Sequence, residues 1–353
     1  MKWKPDWNVV KQNHLGWWRG EGLVAYLTSP RNEPLPSVSQ PEVPGNMASR
    51  WLDGDFRARR AEHAIARSFY AADAFPYTNM FTGPGALGTF LGATPHFTDE
   101  TVWYEPCIDD PDSAPLPVFD ADNPSFRAHA ELLKTTEARA DGRFLVALPD
   151  LIENLDTLAA LRGTETLLTD LIERPVWVHG MLDAVNEAYF RAFDLLFDLV
   201  RDEDGGNAYI FDIWGPGRTA KLQCDFSAMI SPAMFREFVA PRLSAQCDRL
   251  DYTMYHLDGT TALQHLDVLL EIESLDAIEW TPQAGRPGGG DPCWFDLYRR
   301  IRAEGKSVQA IGVRPDEAVP LLDAVGPEGM FLQVHCPDQA SAERLAATVT
   351  QYR

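Results

Sequence analysis

The sequence predicts an α/β protein, a (β/α)8 TIM barrel with an N-terminal extension, and three observations carry that expectation. From about Gly142 onward, short apolar runs of strand length alternate with amphipathic helical patterns, the order that builds a parallel sheet. No glycine-rich phosphate turn of the dinucleotide or P-loop type follows an early strand, as an open doubly wound sheet would normally have. The 353 residues suit one barrel with insertions.

Taken in order, the first fifty residues hold four of the ten tryptophans, Trp3, Trp7, Trp17 and Trp18. They then pass through SPRNEPLPSVSQPEVPGN, where closely spaced Pro, Ser and Asn forbid long regular elements. Residues 1–50 therefore read as an N-terminal arm and loop, and residues 51–353 as a single barrel domain. DFRARRAEHAIARSFYAA has a helical pattern, and a glycine-rich turn and one strand-like run, TVWYEPCI, follow it. The clear strand candidates are FLVALPD (144–150), AYIFDIW (208–214), DYTMYHLD (251–258), DAIEW (276–280), SVQAIGV (307–313) and GMFLQVHC (329–336).

Between these strands Leu182, Val185, Tyr189, Phe193, Leu196 and Val200 step by three or four and mark one face of a long helix. Ser231 and Pro232 form a cap and first turn, and Trp294, Leu297, Tyr298 and Ile301 lead to a stop at Gly305. AGRPGGG (284–290) reads as a flexible lid, because repeated glycine leaves the backbone unrestrained.

Composition narrows the function. Hydrophobic residues at 45% and charged residues at 24% suit a chain that buries a sizeable core, with no stretch of membrane-spanning length. A net charge of −21 repels nucleic-acid phosphates and anionic lipid, so neither is an expected partner. The start, MKWKPDWNVVKQN, lacks a signal-peptide core, and five scattered cysteines form no disulfide framework, which points to a reducing cytoplasm.

A barrel of this kind places its active site at the C-terminal ends of the strands, so the polar residue ending each run is the informative one. Those residues are Asp150, Asp212 with Trp214, His256 with Asp258, Glu279 and Cys336. His, Cys and carboxylate are ligand types that zinc accepts, and His256 and Asp258, two apart, share one side of an extended segment. The metal set read here is His256, Asp258, Glu279 and Cys336. Asp212 and Glu279 are the candidate catalytic carboxylates, and Trp214 and Asp150 the candidate substrate contacts, with the indole suited to stacking on a flat or sugar-like face. Cys247 continues a stripe with Val239 and Leu243 and reads as packing, while His335 is expected to face away from Cys336 on its strand.

YHLDGTTALQHLDVLLEIESLDAIEW, the final FLQVHC and DIWGPGRTAKLQCDFSAMISPAMFREFVAPRL resemble the uroporphyrinogen decarboxylase superfamily over roughly residues 205–350. Its branches include the methylcobamide:coenzyme M methyltransferases. The resemblance implies a (β/α)8 barrel, a zinc ion that activates a substrate thiol, and a methyl donor that is a corrinoid held on a separate protein. The methyltransferase motif is His-x-Cys, a Glu on the next strand and a Cys near the C-terminus. His256, Glu279 and Cys336 match it, whereas Asp258 stands where the family has its first Cys.

Carboxylate in place of thiolate makes the site harder and admits other divalent metals. The expected activity is thus a metal-dependent methyltransferase acting on a small thiol or related nucleophile. Two alternatives stay open: a carboxylate-based hydrolase or lyase, and a barrel that binds without catalysis.

Overall fold

The structure, a computed structural model, describes residues 1–353. Its strands are β1 (Val24–Pro30), β2 (Ser68–Ala72), β3 (Tyr77–Asn79), β4 (Thr94–Phe97), β5 (Val102–Glu105), β6 (Leu145–Ala147), β7 (Gly206–Tyr209), β8 (Ile213–Pro216), β9 (Thr219–Gln223), β10 (Tyr252–Asp258), β11 (Ala277–Thr281), β12 (Ser307–Val313) and β13 (Met330–His335). Seven of them form one sheet in the order β2-β1-β13-β12-β11-β10-β9, parallel throughout except for antiparallel β2 at one edge. Helices cover the outer side, as parallel strands require.

The predicted barrel is met in part. The seven-stranded sheet is mostly parallel, but no continuous backbone ladder closes it. β3 and β6 form a separate parallel pair of three residues each. β6 meets β7 through a single bond, Leu148 N–H to the Ala208 carbonyl at 3.1 Å. The step from β7 to β9 is made by a side chain: the Asn207 amide donates to the Thr219 carbonyl and accepts from its N–H, both at 2.9 Å, in place of a peptide.

The first fifty residues are not a detached arm. β1 lies inside the sheet, paired with β13 on one side and β2 on the other. The helix Trp7–Trp18 closes the end where the strands begin: Trp17 donates to the Val308 carbonyl and Trp18 to that of Trp214. Trp17 is fully buried, so the tryptophan-rich start is core. The strand was hidden because the VAYLTSP run is short and leads straight into proline-rich loop.

AYIFDIW is likewise not one strand but the two arms of a hairpin, β7 and β8, with its turn at Ile210–Asp212. The long helix runs from Pro175 to Val200 and buries the expected face. The glycine triplet is no lid. A Cβ on Gly288 would lie 2.5 Å from the Gly312 carbonyl, and one on Gly289 would lie 2.4 Å from that of Ile311, so the segment packs backbone to backbone on β12. Tyr298 fixes it further by donating to the Gly289 carbonyl at 2.6 Å. Here glycine permits close approach rather than motion. No helix is long and apolar enough to cross a membrane.

Candidate functional site

Strand register decides which side chains meet. Gln223, His256, Glu279, Gln309 and Phe331 are successive partners from β9 to β13 and so share the inner face of the sheet. Two residues further toward the C-terminal ends come Asp258 and, just past β9, Asp225. One oxygen of Asp225, a ring nitrogen of His256 and one oxygen of Asp258 lie within 4.8 Å of one another. Two hard oxygens and an imidazole on one small volume suit a divalent ion, and three protein ligands leave room for a substrate or water.

Glu279 is placed beside this group rather than in it. Its Oε2 takes a short hydrogen bond from His256 Nδ1, and its Oε1 accepts from Thr281 Oγ1 at 2.7 Å. With Nδ1 engaged, His256 Nε2 is the free ring nitrogen, the arrangement in which a carboxylate orients a ligating histidine. Burial disfavours the imidazolium, but the adjacent Glu279 charge and hydrogen bond outweigh it, and the His256 pKa is raised.

Asp225, which sequence reasoning missed, is held from behind. Its N–H and that of Phe226 donate to Asp156 at 2.8 and 2.7 Å, and its Oδ2 accepts from Gln223 Nε2 at 2.9 Å. Burial and then the Asp225 charge push Asp156 up to about 7, and burial lifts Glu153 to about 8. Lys221 is fully buried and balances part of this acid cluster, bonding to Asp150 Oδ1 at 2.7 Å and to the Gln223 side chain. Asp150 is thus an ion-pair partner in the structure.

The hairpin turn reaches across the inner face. Phe211 stacks on His256 with ring centroids 4.6 Å apart, while its carbonyl accepts from Gln309 Nε2 on β12 at 2.6 Å. Asp212 accepts from Gln333 Nε2 on β13 at 2.5 Å, and its N–H donates to the Tyr77 hydroxyl at 3.3 Å. Both turn residues have φ of +63°, a left-handed conformation that asparagine and aspartate tolerate but phenylalanine rarely adopts. Each such residue costs on the order of 1–3 kcal/mol and persists only where its surroundings fix it. Here Gln309, Gln333 and Tyr77 do so.

Trp214 is placed elsewhere. Its indole packs edge-on against Trp7, 5.4 Å between centroids, and donates to Asp202 at 2.8 Å, a buried position with no room for stacking on a substrate. Cys336 is also separate from the Asp225–His256–Asp258 group. Gln333 and His335 pair with Tyr26 and Thr28 and face the inner side, so alternation sends Cys336 outward into the apolar core, where it is fully buried. The expected orientations of His335 and Cys336 are therefore exchanged.

No protein-family model matches the chain, and no curated protein matches it in sequence. Among solved structures it is similar to a methyltransferase from Methanosarcina mazei, with a TM-score of 0.64 at 11% identity over 97% of this chain and 98% of that one. At that identity the similarity is one of fold. A mandelate racemase/muconate lactonizing enzyme from Sulfitobacter sp aligns with a TM-score of 0.39 and 12% identity over 91% of this chain and 56% of that one, too slight a likeness to build on.

Proposed function

We propose that the chain is a metal-dependent methyl-transfer enzyme of the uroporphyrinogen decarboxylase superfamily, its strands arranged as a (β/α)8 barrel. The observation that carries the reading is the meeting of Asp225, His256 and Asp258, backed by Glu279 on the far nitrogen of the histidine. The fold shared with a methyltransferase and the sequence resemblance agree with it. These three residues would hold a divalent ion, zinc or a harder relative, which when bound lowers the pKa of a substrate thiol or water near neutral pH. The resemblance implies a corrinoid on a separate protein as methyl donor.

The protein's own part is positional. Glu279 accepts a hydrogen bond from Nδ1–H, so that neutral His256 presents a lone pair at Nε2. Asp156 and Gln223 fix Asp225 from both its backbone and its carboxylate, and Phe211 shields the imidazole on one face. Elemental mass spectrometry of the purified chain tests the reading. One divalent ion per chain is expected in the wild type, absent from folded His256→Ala and Asp258→Asn and retained in Cys336→Ser. A metal-free wild type that gains no stability on reloading overturns it and favours a carboxylate-based reaction, whose activity survives chelation.

A further inference from the structure

On the other side of the Phe211–Asp212 turn lies a cavity of about 1000 Å³, bounded by β1, β2, β12, β13 and the helix Gly54–Ala66. Its charge is opposite in character to the rest of the molecule. In a chain of net charge −21, its lining contains one carboxylate, Asp212, against Arg67, Arg314 and His335. Arg314 is engaged by Asp316 and Glu317, its own near neighbours. Arg67 has no carboxylate partner; its guanidinium meets only the His63 ring. A free guanidinium at the mouth of a cavity on an acidic protein suits an anionic group.

The floor asks for the reverse. Asp212 is half-buried beside the phenols of Tyr26, Tyr70 and Tyr77, whose ionisation is opposed first by burial and then by its charge. Asn79 also lines the cavity. Asp212 is thus the one carboxylate facing a space whose other ionisable lining groups are arginine, histidine and phenol, the setting in which an ammonium group is matched by charge.

We infer that this cavity binds an amine carboxylate, its ammonium group against Asp212 and its carboxylate against Arg67 and His335. The site is distinct from the Asp225–His256–Asp258 group and does not depend on a metal there. The volume, at the upper end of ordinary ligand pockets, accommodates a chain longer than that of the simplest amino acids.

Isothermal titration calorimetry on the full chain with γ-aminobutyrate, ε-aminocaproate and glycylglycine tests this, with caproate, hexylamine and N-trimethylated ε-aminocaproate as comparators. At least one zwitterion should bind about tenfold more tightly than either single-charge compound and than its trimethylated form, the weight of one charge-assisted contact. Arg67→Ala, on an exposed helix end, should weaken it about tenfold, and Asp212→Asn at least as much. Binding of caproate equal to that of ε-aminocaproate, full retention of affinity in folded Arg67→Ala, or tight binding of the trimethylated form would overturn the assignment, as would failure of the whole series to bind. The metal content of Arg67→Ala, expected unchanged, separates failure here from failure of the metal reading.

Discussion

The two sides of the Phe211–Asp212 turn differ in both charge and construction. Toward β9–β11, Asp150, Glu153, Asp156, Asp225, Asp258 and Glu279 surround Lys221 and His256, joined by bonds from strand to strand. Toward β12, β13 and β1, a single carboxylate faces arginine, histidine and phenols across open space. Each side leaves a buried acceptor without a protein partner, Glu153 Oε2 on the first and Asn79 Oδ1 on the second. The contrast teaches that one strained turn can divide a continuous sheet face into a compact acidic cluster and a roomy compartment of mixed charge.

The hardest blow to the acid side is Lys221→Met. It leaves Asp150 buried without its partner, and a broken buried pair costs about 3–5 kcal/mol, readable as a lowered urea midpoint. A loss under about 1 kcal/mol would mean that the cluster is held by hydration rather than by this pair. Next, Glu279→Gln should weaken divalent-ion binding by about 10–100-fold in a competition titration while leaving zwitterion binding in the other compartment unchanged.

A pH experiment separates the two sides more finely. Burial raises Glu153 from 4.5 to about 8, so between those limits the folded state binds the extra proton. Stability supplied by this group is present in acid and is lost as pH rises toward 8, by up to about 1.4 kcal/mol per pH unit. Glu153→Gln should flatten that slope; an unchanged slope in denaturant titrations at several pH values would assign it to other groups. The smallest effect expected is for Trp214→Phe, which deletes one hydrogen bond to Asp202 at the base of the hairpin. It should cost about 1 kcal/mol in the same measurement and leave both ligand sites intact.

The legible part of the fold was its apolar alternation. β10 to β13 announce themselves because Met254, Ile278, Val308 and Leu332 sit in runs with few interruptions. β9 did not, since TAKLQ carries a fully buried lysine and a buried glutamine that read as surface residues until Asp150 and Glu153 are found beside them. Losing that strand also lost Asp225, although CDFS, three residues before the Ser231–Pro232 helix start, was visible and could have marked a strand end. His256, Asp258 and Glu279 were legible because strand ends are where polar residues interrupt apolar runs. Cys336 misled for the same reason: a thiol after a strand looks alike whether it faces in or out, and only register distinguishes the two.

The docking of the turn also bears on how the chain assembles. β7 and β8 pair locally, across a turn of three residues, and can form early. Of the groups that hold the turn, Tyr77 precedes it, whereas Gln309 is 98 residues beyond Phe211 and Gln333 is 121 beyond Asp212. Contacts of such long sequence separation require closure of large loops before they contribute. The two glutamine contacts on the left-handed turn therefore form only when the last two strands dock. A chain that stalls before β12 carries Asp225, His256 and Asp258 but lacks the wall of the second compartment that Arg314, Gln333 and His335 supply.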